Sequence, residues 1–258
     1  MVVSKSEEEH VTHVSNVLAR LRANNRFDKA SKFLFHVSIV DYLGYVAFSE
    51  GLKMYQENVH CILNWPPPRN LKALKSFLGF ANFYRHFIKN HSKKNKFTHK
   101  FTQERFPFPL NEESLRQFNQ LKEAFSTAPI LSHLNPSLCT IVETHASDYA
   151  LRAVLSQVSD SGKHPIAFDS HNLLPEELNY EYHDNKLLGI VWALKSWRAF
   201  LLSLSSSFEV LTSQSLLQYF MTSKILPHHQ AHWDEFLSES QFSTTYFPGR
   251  LDTLPEAF

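Results

Sequence analysis

The residues between Ile141 and Ala150 place a histidine and a carboxylate in one short polar turn. The segment reads IVETHASDYA, an apolar strand that breaks around His145 and Asp148. Imidazole suits softer metals such as zinc and copper, whereas carboxylate suits Mg²⁺. A histidine in a turn is more often solvated than metal-bound, and an aspartate there more often caps the turn. The pair alone is therefore a weak metal signal.

A second candidate site is the basic tract from Arg85 to Arg105. It holds seven Lys and Arg residues against the single Glu104, and phenylalanines are interleaved with them. Long basic side chains neutralise backbone phosphates without regard to base sequence. A run of like charges is equally typical of a solvated face. The basic side chains of the tract are Arg85, Lys89, Lys93, Lys94, Lys96, Lys100 and Arg105.

The overall composition adds no basic signal. The formal net charge is +1, so nucleic-acid binding would depend on local clusters of charge. Apolar residues make up 43% of the 258 residues, enough to fill one large or two ordinary domain cores. Cys61 and Cys139 lie far apart, as in proteins of a reducing compartment. Because no secretory signal or uninterrupted apolar span is visible, we expect an intracellular protein of the cytoplasm or nucleus.

Hydrophobic periodicity predicts the elements that must position these groups. A capping box at Ser6 and Glu9 precedes apolar residues at helical spacing, and three prolines at 66–68 exclude helix. From residue 138 onward, three strands, a long helix and a further strand indicate an α/β unit. The predicted elements are a first helix, a hairpin over 33–48, helices after Asn70 and over 112–126, three strands from 138, a long helix over 180–202, a strand at 210–212, a helix over 228–240 and an edge strand over 242–247.

Ordered motifs along nearly the whole chain resemble the Pol polyprotein of gypsy-class LTR retrotransposons. WPPPRNLKALKSFLGFANFYRHFI is similar to the family's thumb signature, and the segment from Tyr42 to Tyr45 resembles its primer-gripping hairpin. The motifs IVETHASDYA, HPIAFDS, WALKSWRAFL and FPGR follow in the family's order. The resemblance implies an α+β chain with a reverse transcriptase palm remnant and hairpin (1–50), a helical thumb and connection (51–106), a linker helix and loop (107–136), and a ribonuclease H-like α/β domain with a mixed sheet (137–258).

The resemblance also implies that the polymerase site is incomplete. In the family, the residues matching Met1 to Val3 come directly after the catalytic Asp-Asp pair. Polymerisation needs those carboxylates to hold Mg²⁺ against the incoming triphosphate. We therefore expect no nucleotide transfer by this chain.

In the family's ribonuclease H centre, four carboxylates hold two divalent metal ions, normally Mg²⁺. Carried over position by position, the resemblance places them at His145, Lys186 and Ser213, with Glu256 as the counterpart of the last. The four groups together then carry a charge of about zero instead of about −4. Arg152 adds another cation on the same strand as His145. We expect these catalytic positions to be inactive, with no metal or other cofactor bound.

The family's activities are RNA-directed DNA polymerase and RNA–DNA hybrid ribonuclease, and we expect this fragment to perform neither. One alternative is a domesticated, non-catalytic nucleic-acid-binding module, and another is an expressed remnant without function. Because the family's thumb rests on the template–primer backbone, the resemblance implies contact with an RNA–DNA hybrid or duplex through phosphates. The expected phosphate-binding residues are Arg85, Lys89, Lys93, Lys94, Lys96 and Lys100.

Overall fold

The first helix begins where the capping box predicts, but none of its residues is buried. In this computed structural model the described residues are 6–27, 29–89, 110–212, 228–238 and 241–246, with the single positions 2, 4, 91 and 108. Helix α1 (Glu7–Ala23) starts after Ser6, whose hydroxyl accepts a hydrogen bond from the Glu9 amide at 3.2 Å. Val11 is 51% exposed and Leu18 is 40% exposed. The regularly spaced apolar side chains of α1 are therefore not buried in a core formed by the described residues.

A three-stranded antiparallel sheet follows, formed by β1 (Ile39–Tyr42), β2 (Tyr45–Phe48) and β3 (Gly51–Met54). Leu43 and Gly44 join the first two strands with φ angles of 50° and 80°. Two successive positive φ values are typical of the tight turn that matches the twist of a hairpin. The predicted hairpin is confirmed, but it begins six residues later than predicted and continues into a third strand.

Helices α2 (Gln56–Leu63), α3 (Leu71–Phe83) and α4 (Glu112–Ser126) build what we call the N-terminal core. The side chains of Asn70 and Asn111 cap α3 and α4 by accepting amide hydrogen bonds at 2.8 and 2.9 Å. Capping of this kind satisfies backbone donors that the first turn leaves unpaired. The largest fully buried side chains of this core include Phe77, Tyr84, Phe118 and Phe125.

The second half of the chain forms the predicted mixed sheet. Strands β4 (Cys139–Ser147), β5 (Ala150–Ser159) and β6 (Gly162–Asn172) are antiparallel, whereas β7 (Phe208–Thr212) and β8 (Phe242–Tyr246) run parallel to β4. Their order in the sheet is β6-β5-β4-β7-β8. The central strand β4 therefore has a neighbour on each side, and its carboxyl end lies beside that of β7.

Helix α5 (Tyr182–Ser196) packs against this sheet, and α7 (His228–Ser238) packs against α5. The long helix predicted over 180–202 is interrupted at Trp197, which has φ −106° and ψ 18° and separates α5 from the short α6 (Arg198–Leu201). The Trp197 side chain is only 2% exposed, so its burial coincides with the break in the helix. Within the described residues, no helix is both long and apolar enough to cross a bilayer.

Two hydrophobic clusters meet at strand β6. The sheet core lies between the sheet and α5 and includes Val142, Leu155 and Ile190. Phe168 of β6 belongs instead to the N-terminal core, and Val154 of β5 packs against that core. These two residues are cross-strand partners, so at strands β5 and β6 one face of the sheet packs against the N-terminal core, whereas α5 packs against the other face of the sheet.

Candidate metal centre and nucleic-acid interface

His145 lies near the carboxyl end of the central strand β4 and is partly buried. Side chains alternate between the two faces of a strand. Val142, which is fully buried, belongs to the sheet core under α5, so Glu143 and His145 lie on the opposite face. The direct cross-strand partner of His145 is Arg152 of β5. The prediction that Arg152 lies on the same strand is wrong, because the turn at 148–149 reverses the chain between the two residues.

Contacts along helix α5 locate Lys186 relative to β4. Ser196 at the end of α5 contacts β6, and a Cβ at Gly189 would lie 3.6 Å from Leu151 of β5. The carboxyl end of α5 therefore lies over β6, and the middle of the helix lies over β5. The preceding turn, which holds Lys186, continues towards β4, against which α5 also packs. The Lys186 Nζ atom lies 5.2 Å from the centre of the Tyr182 ring.

The other two family positions lie outside the described residues. Ser213 directly follows Thr212, the last described residue of β7, and Thr212 pairs with Thr144 in the parallel ladder. Glu256 lies in the segment after residue 246. Their assignment as former metal positions remains a prediction.

The donors at the two described positions do not fit Mg²⁺. This hard cation prefers carboxylate, carbonyl and water oxygens in octahedral geometry, whereas His145 offers imidazole nitrogen and Lys186 offers an ammonium group. The nearest same-face carboxylate on β4, Glu143, pairs with Lys163 at 2.6 Å. In the described part of the chain, no group of three His, Cys, Asp or Glu side chains is placed to hold a metal ion.

The basic tract is described only at its start. Arg85 lies in a short 3-10 turn over Arg85–Phe87, and its Nε atom is 3.8 Å from Oδ1 of Asp169. Its side chain is 42% exposed, so it faces both this carboxylate and solvent. Lys89 is an exposed residue beyond the turn. The predicted phosphate-binding residues outside the described chain are Lys93, Lys94, Lys96 and Lys100.

Asp169 is a buried carboxylate that the sequence interpretation missed. Its side chain is 4% exposed, accepts a hydrogen bond from Ser196 Oγ at 2.6 Å and accepts a second from the Ser170 amide at 2.8 Å. One residue earlier on β6, the Phe168 carbonyl oxygen lies 3.2 Å from His86 Nδ1. The sequence signal that could have identified Asp169 is a carboxylate that directly follows the apolar residues of the segment IAFDS. We call these contacts between residues 85–86, strand β6 and the end of α5 the joint.

The turn between β1 and β2 is held by the N-terminal core. Tyr84 donates a hydrogen bond to the Gly44 carbonyl oxygen at 3.0 Å and accepts one from the Asn58 side-chain amide. Burial raises the pKa of Tyr84, although the Asn58 hydrogen bond opposes this shift. Burial and the neighbouring Tyr84 hydroxyl also raise the pKa of Tyr45. Leu43 at the tip of the turn remains 68% exposed. The turn therefore exposes an apolar side chain while Tyr84 holds its backbone at Gly44.

Comparison with known proteins agrees with this architecture. Residues 110–210 match the RNase H-like domain found in reverse transcriptase. Over its whole length the chain is 33% identical to the Transposon Tf2-3 and Tf2-4 polyproteins of Schizosaccharomyces pombe, and it spans 20% of their length.

Solved structures support the same fold. The foamy viral protease-reverse transcriptase in complex with an RNA/DNA hybrid matches with a TM-score of 0.75 and 24% identity, over 98% of this chain and 34% of that one. The same viral protein in complex with double-stranded DNA matches with a TM-score of 0.72, over 98% of this chain and 53% of that one. Residues 110–210 are therefore similar to the RNase H-like domain found in reverse transcriptase, within a chain that is similar over its full length to part of two transposon polyproteins.

Proposed function

We propose that this chain is the reverse transcriptase and ribonuclease H-like part of a gypsy-class retrotransposon Pol polyprotein, with metal-dependent catalysis lost and contact with nucleic acid retained. The single observation that carries the loss of catalysis is the pair His145 and Arg152, directly opposite each other on β4 and β5. Under this proposal, the residues at the family's metal-binding positions remain part of the fold but hold no metal.

Electrostatics supports the loss of metal binding. At an effective dielectric constant of about 20, two unit charges 4 Å apart interact by about 4 kcal/mol, and a divalent ion doubles that value. A lysine ammonium or an arginine guanidinium near the former site would therefore repel Mg²⁺ instead of attracting it. The family's acidic groups would attract two such ions and offset their charge.

Retained contact with nucleic acid rests on the basic tract and on the relatives. Lys89 is exposed, and four more lysines follow it within eleven residues of sequence. The foamy viral structures with the same fold were solved in complex with an RNA/DNA hybrid and with double-stranded DNA. A contact of this kind would involve phosphates, be indifferent to base sequence and weaken steeply with salt.

The first experiment incubates the purified chain with an end-labelled RNA–DNA hybrid and Mg²⁺ or Mn²⁺. We expect binding without cleavage, because the described metal positions no longer carry carboxylates. A mock preparation from cells without the gene is the matched control. Hybrid cleavage that EDTA abolishes and the mock preparation lacks would contradict the proposal.

The same hybrid tests the basic tract when its affinity is measured over a series of salt concentrations. Changing Lys93, Lys94 and Lys96 to Gln should lower the slope of log affinity against log salt by up to about three units, because each phosphate contact contributes about 0.9. The control changes three exposed lysines elsewhere, Lys29, Lys32 and Lys53, to Gln and removes the same charge. Equal slopes for the two triple variants would leave the tract as a solvated face.

The lost metal site can be tested by restoring its carboxylates. The triple variant His145→Asp, Lys186→Glu and Ser213→Asp should regain Mg²⁺ binding by calorimetry, whereas each single variant should not, since a metal cluster needs most of its ligands together. If the triple variant and the parent give the same Mg²⁺ titration, substitution of ligands is not sufficient to explain the loss.

A further inference from the structure

Helix α1 carries an apolar stripe that the described chain leaves largely open. Four apolar residues follow one another at intervals of three, four and three residues: Val11, Val14, Leu18 and Leu21. This is the spacing of the two apolar positions in a coiled-coil heptad. Val11 is 51% exposed, Leu18 is 40% exposed and the neighbouring Val17 is 42% exposed. The four heptad residues thus form a narrow apolar face, called here the α1 seam.

A helix of this length needs a packing partner to be stable. Helix α1 has 17 residues, and none of them is buried. Isolated helices shorter than about 12 to 15 residues are marginal in water even with favourable sequences, and most helical stability in proteins comes from packing of the apolar face. Three β-branched valines lower the helix propensity of α1 further. The α1 seam is therefore a surface that association with a matching apolar face would stabilise.

The charges beside the seam identify the partner that fits it. The first turn of α1 is acidic and the last turn is basic. Glu8 and Arg22 are both exposed and stand two heptads apart, so they flank the same side of the seam. Glu7 already pairs with His36 at 3.7 Å and is not needed for the match. A parallel copy of α1 would bring like charges together at both ends, whereas an antiparallel copy would bring Glu8 opposite Arg22.

We infer that the α1 seam binds the α1 seam of a second copy of this chain, antiparallel and related by a two-fold axis. In this arrangement Val11 lies opposite Leu21 of the second copy, and Val14 lies opposite Leu18. Every layer of the seam then combines one valine with one leucine. The two helix dipoles oppose each other, which favours the antiparallel orientation. The inference is independent of the proposed function, since α1 holds neither the metal positions nor the basic tract.

The length of the seam limits the strength of this dimer. A helix of 17 residues is about 25 Å long. Two such helices bury less than the roughly 1,200 Å² that is typical of the smaller stable interfaces. We therefore expect a reversible dimer with a dissociation constant of about 1 to 100 μM.

The first test is sedimentation velocity of the full chain, free of nucleic acid, over concentrations that bracket this range. Leu18→Glu places a charge in the middle of the seam and should weaken the dimer at least about tenfold. The matched control is Val158→Glu on β5, because that side chain is 39% exposed and Leu18 is 40% exposed. The control should change dimer affinity less than about twofold. Circular dichroism verifies that both variants are folded.

The second test uses charge reversal to measure the orientation of the two helices. Glu8→Arg and Arg22→Glu should each weaken the dimer by about three- to tenfold, because each turns two attractive contacts into two repulsive ones. An equimolar mixture of the two variants restores both attractive contacts between unlike chains and should dimerise almost as well as the parent. A double reversal in one chain is less informative, since it opposes the helix dipole at both ends.

A parent chain that stays monomeric over the whole range would overturn the inference and would leave the seam to a different partner. Equal dimer affinities for the parent and Leu18→Glu would also overturn it, because the contact would then lie elsewhere. If the mixture dimerises no better than the separate charge variants, the antiparallel arrangement is wrong.

Discussion

Replacing Asp169 with alanine should loosen the joint between the N-terminal core and the sheet core. The carboxylate is 4% exposed and accepts hydrogen bonds from Ser196 Oγ at 2.6 Å and from the Ser170 amide at 2.8 Å. A hydrogen bond to a charged group contributes about 1.5 to 3 kcal/mol. The pair with the half-exposed Arg85 contributes at most about 1 kcal/mol. The buried carboxylate also costs desolvation energy, which the alanine variant recovers.

Together these contributions predict a loss of about 2 to 3 kcal/mol for Asp169→Ala. For a chain of this size the melting temperature should fall by roughly 4 to 12 °C. The loss from Arg85→Gln should be below about 1 kcal/mol, because that side chain remains partly solvated. The two variants therefore separate the buried hydrogen bonds from the ion pair.

Urea unfolding followed by tryptophan fluorescence measures the effect. The chain has four tryptophans, of which Trp65 packs on the N-terminal core and Trp197 lies in the sheet core. Removing the first with Trp65→Phe leaves a signal from the second half of the chain alone. In the Asp169→Ala background we expect the N-terminal and sheet cores to unfold at different urea concentrations.

The control for this prediction is Glu113→Ala, which breaks an exposed ion pair with Arg116 on α4. Its effect should be below about 0.5 kcal/mol. If Asp169→Ala changes stability by no more than this control, the hydrogen bonds of the joint do not stabilise the fold and the reasoning fails.

Two further predictions concern the N-terminal half. Gly51→Ala should cost more than about 2 kcal/mol in urea unfolding, because φ is 152° and the new Cβ would lie 2.1 Å from the Leu131 carbonyl oxygen. Gly79→Ala, at an exposed position of helix α3, should instead stabilise by about 0.5 to 1 kcal/mol. Because burial raises the Tyr84 pKa above 10.0, the unfolded chain releases that proton first and stability should fall as the pH rises past 10. Tyr84→Phe should lose about 1 kcal/mol at pH 7 but decline less between pH 10 and 11, and an identical decline in both proteins would contradict this assignment.

Local signals in the sequence predicted the ends of helices and the existence of strands. Ser6 and Asn70 begin their helices through side-chain caps, and this chemistry depends on residues only three positions apart. The resemblance predicts the mixed sheet, and the structure confirms it. The helix caps depend on neighbouring residues, and the sheet is common to the fold that the motifs indicate. Both can therefore be predicted from the sequence.

The features that were missed depend on contacts between distant residues. Trp197 interrupts the predicted long helix although the apolar spacing continues through it, because periodicity reports which face is buried and not whether the backbone stays helical. Asp148 marks a turn between His145 and Arg152, but the pattern does not show that the chain reverses there, so the prediction placed Arg152 on the strand of His145. Asp169 finds its partners 27 residues ahead at Ser196 and 84 residues behind at Arg85, and no local pattern encodes either distance.

The joint also determines how strand β6 behaves as an edge of the sheet. An open edge offers unpaired backbone groups on which a second copy of the chain could add a strand. Here the Pro165 carbonyl accepts a hydrogen bond from the Ser132 amide at 2.9 Å, and proline has no backbone N–H to donate. The Phe168 carbonyl is contacted by His86. The middle of the edge is thus closed to intermolecular strand addition, and variants that release the joint should aggregate as well as unfold earlier.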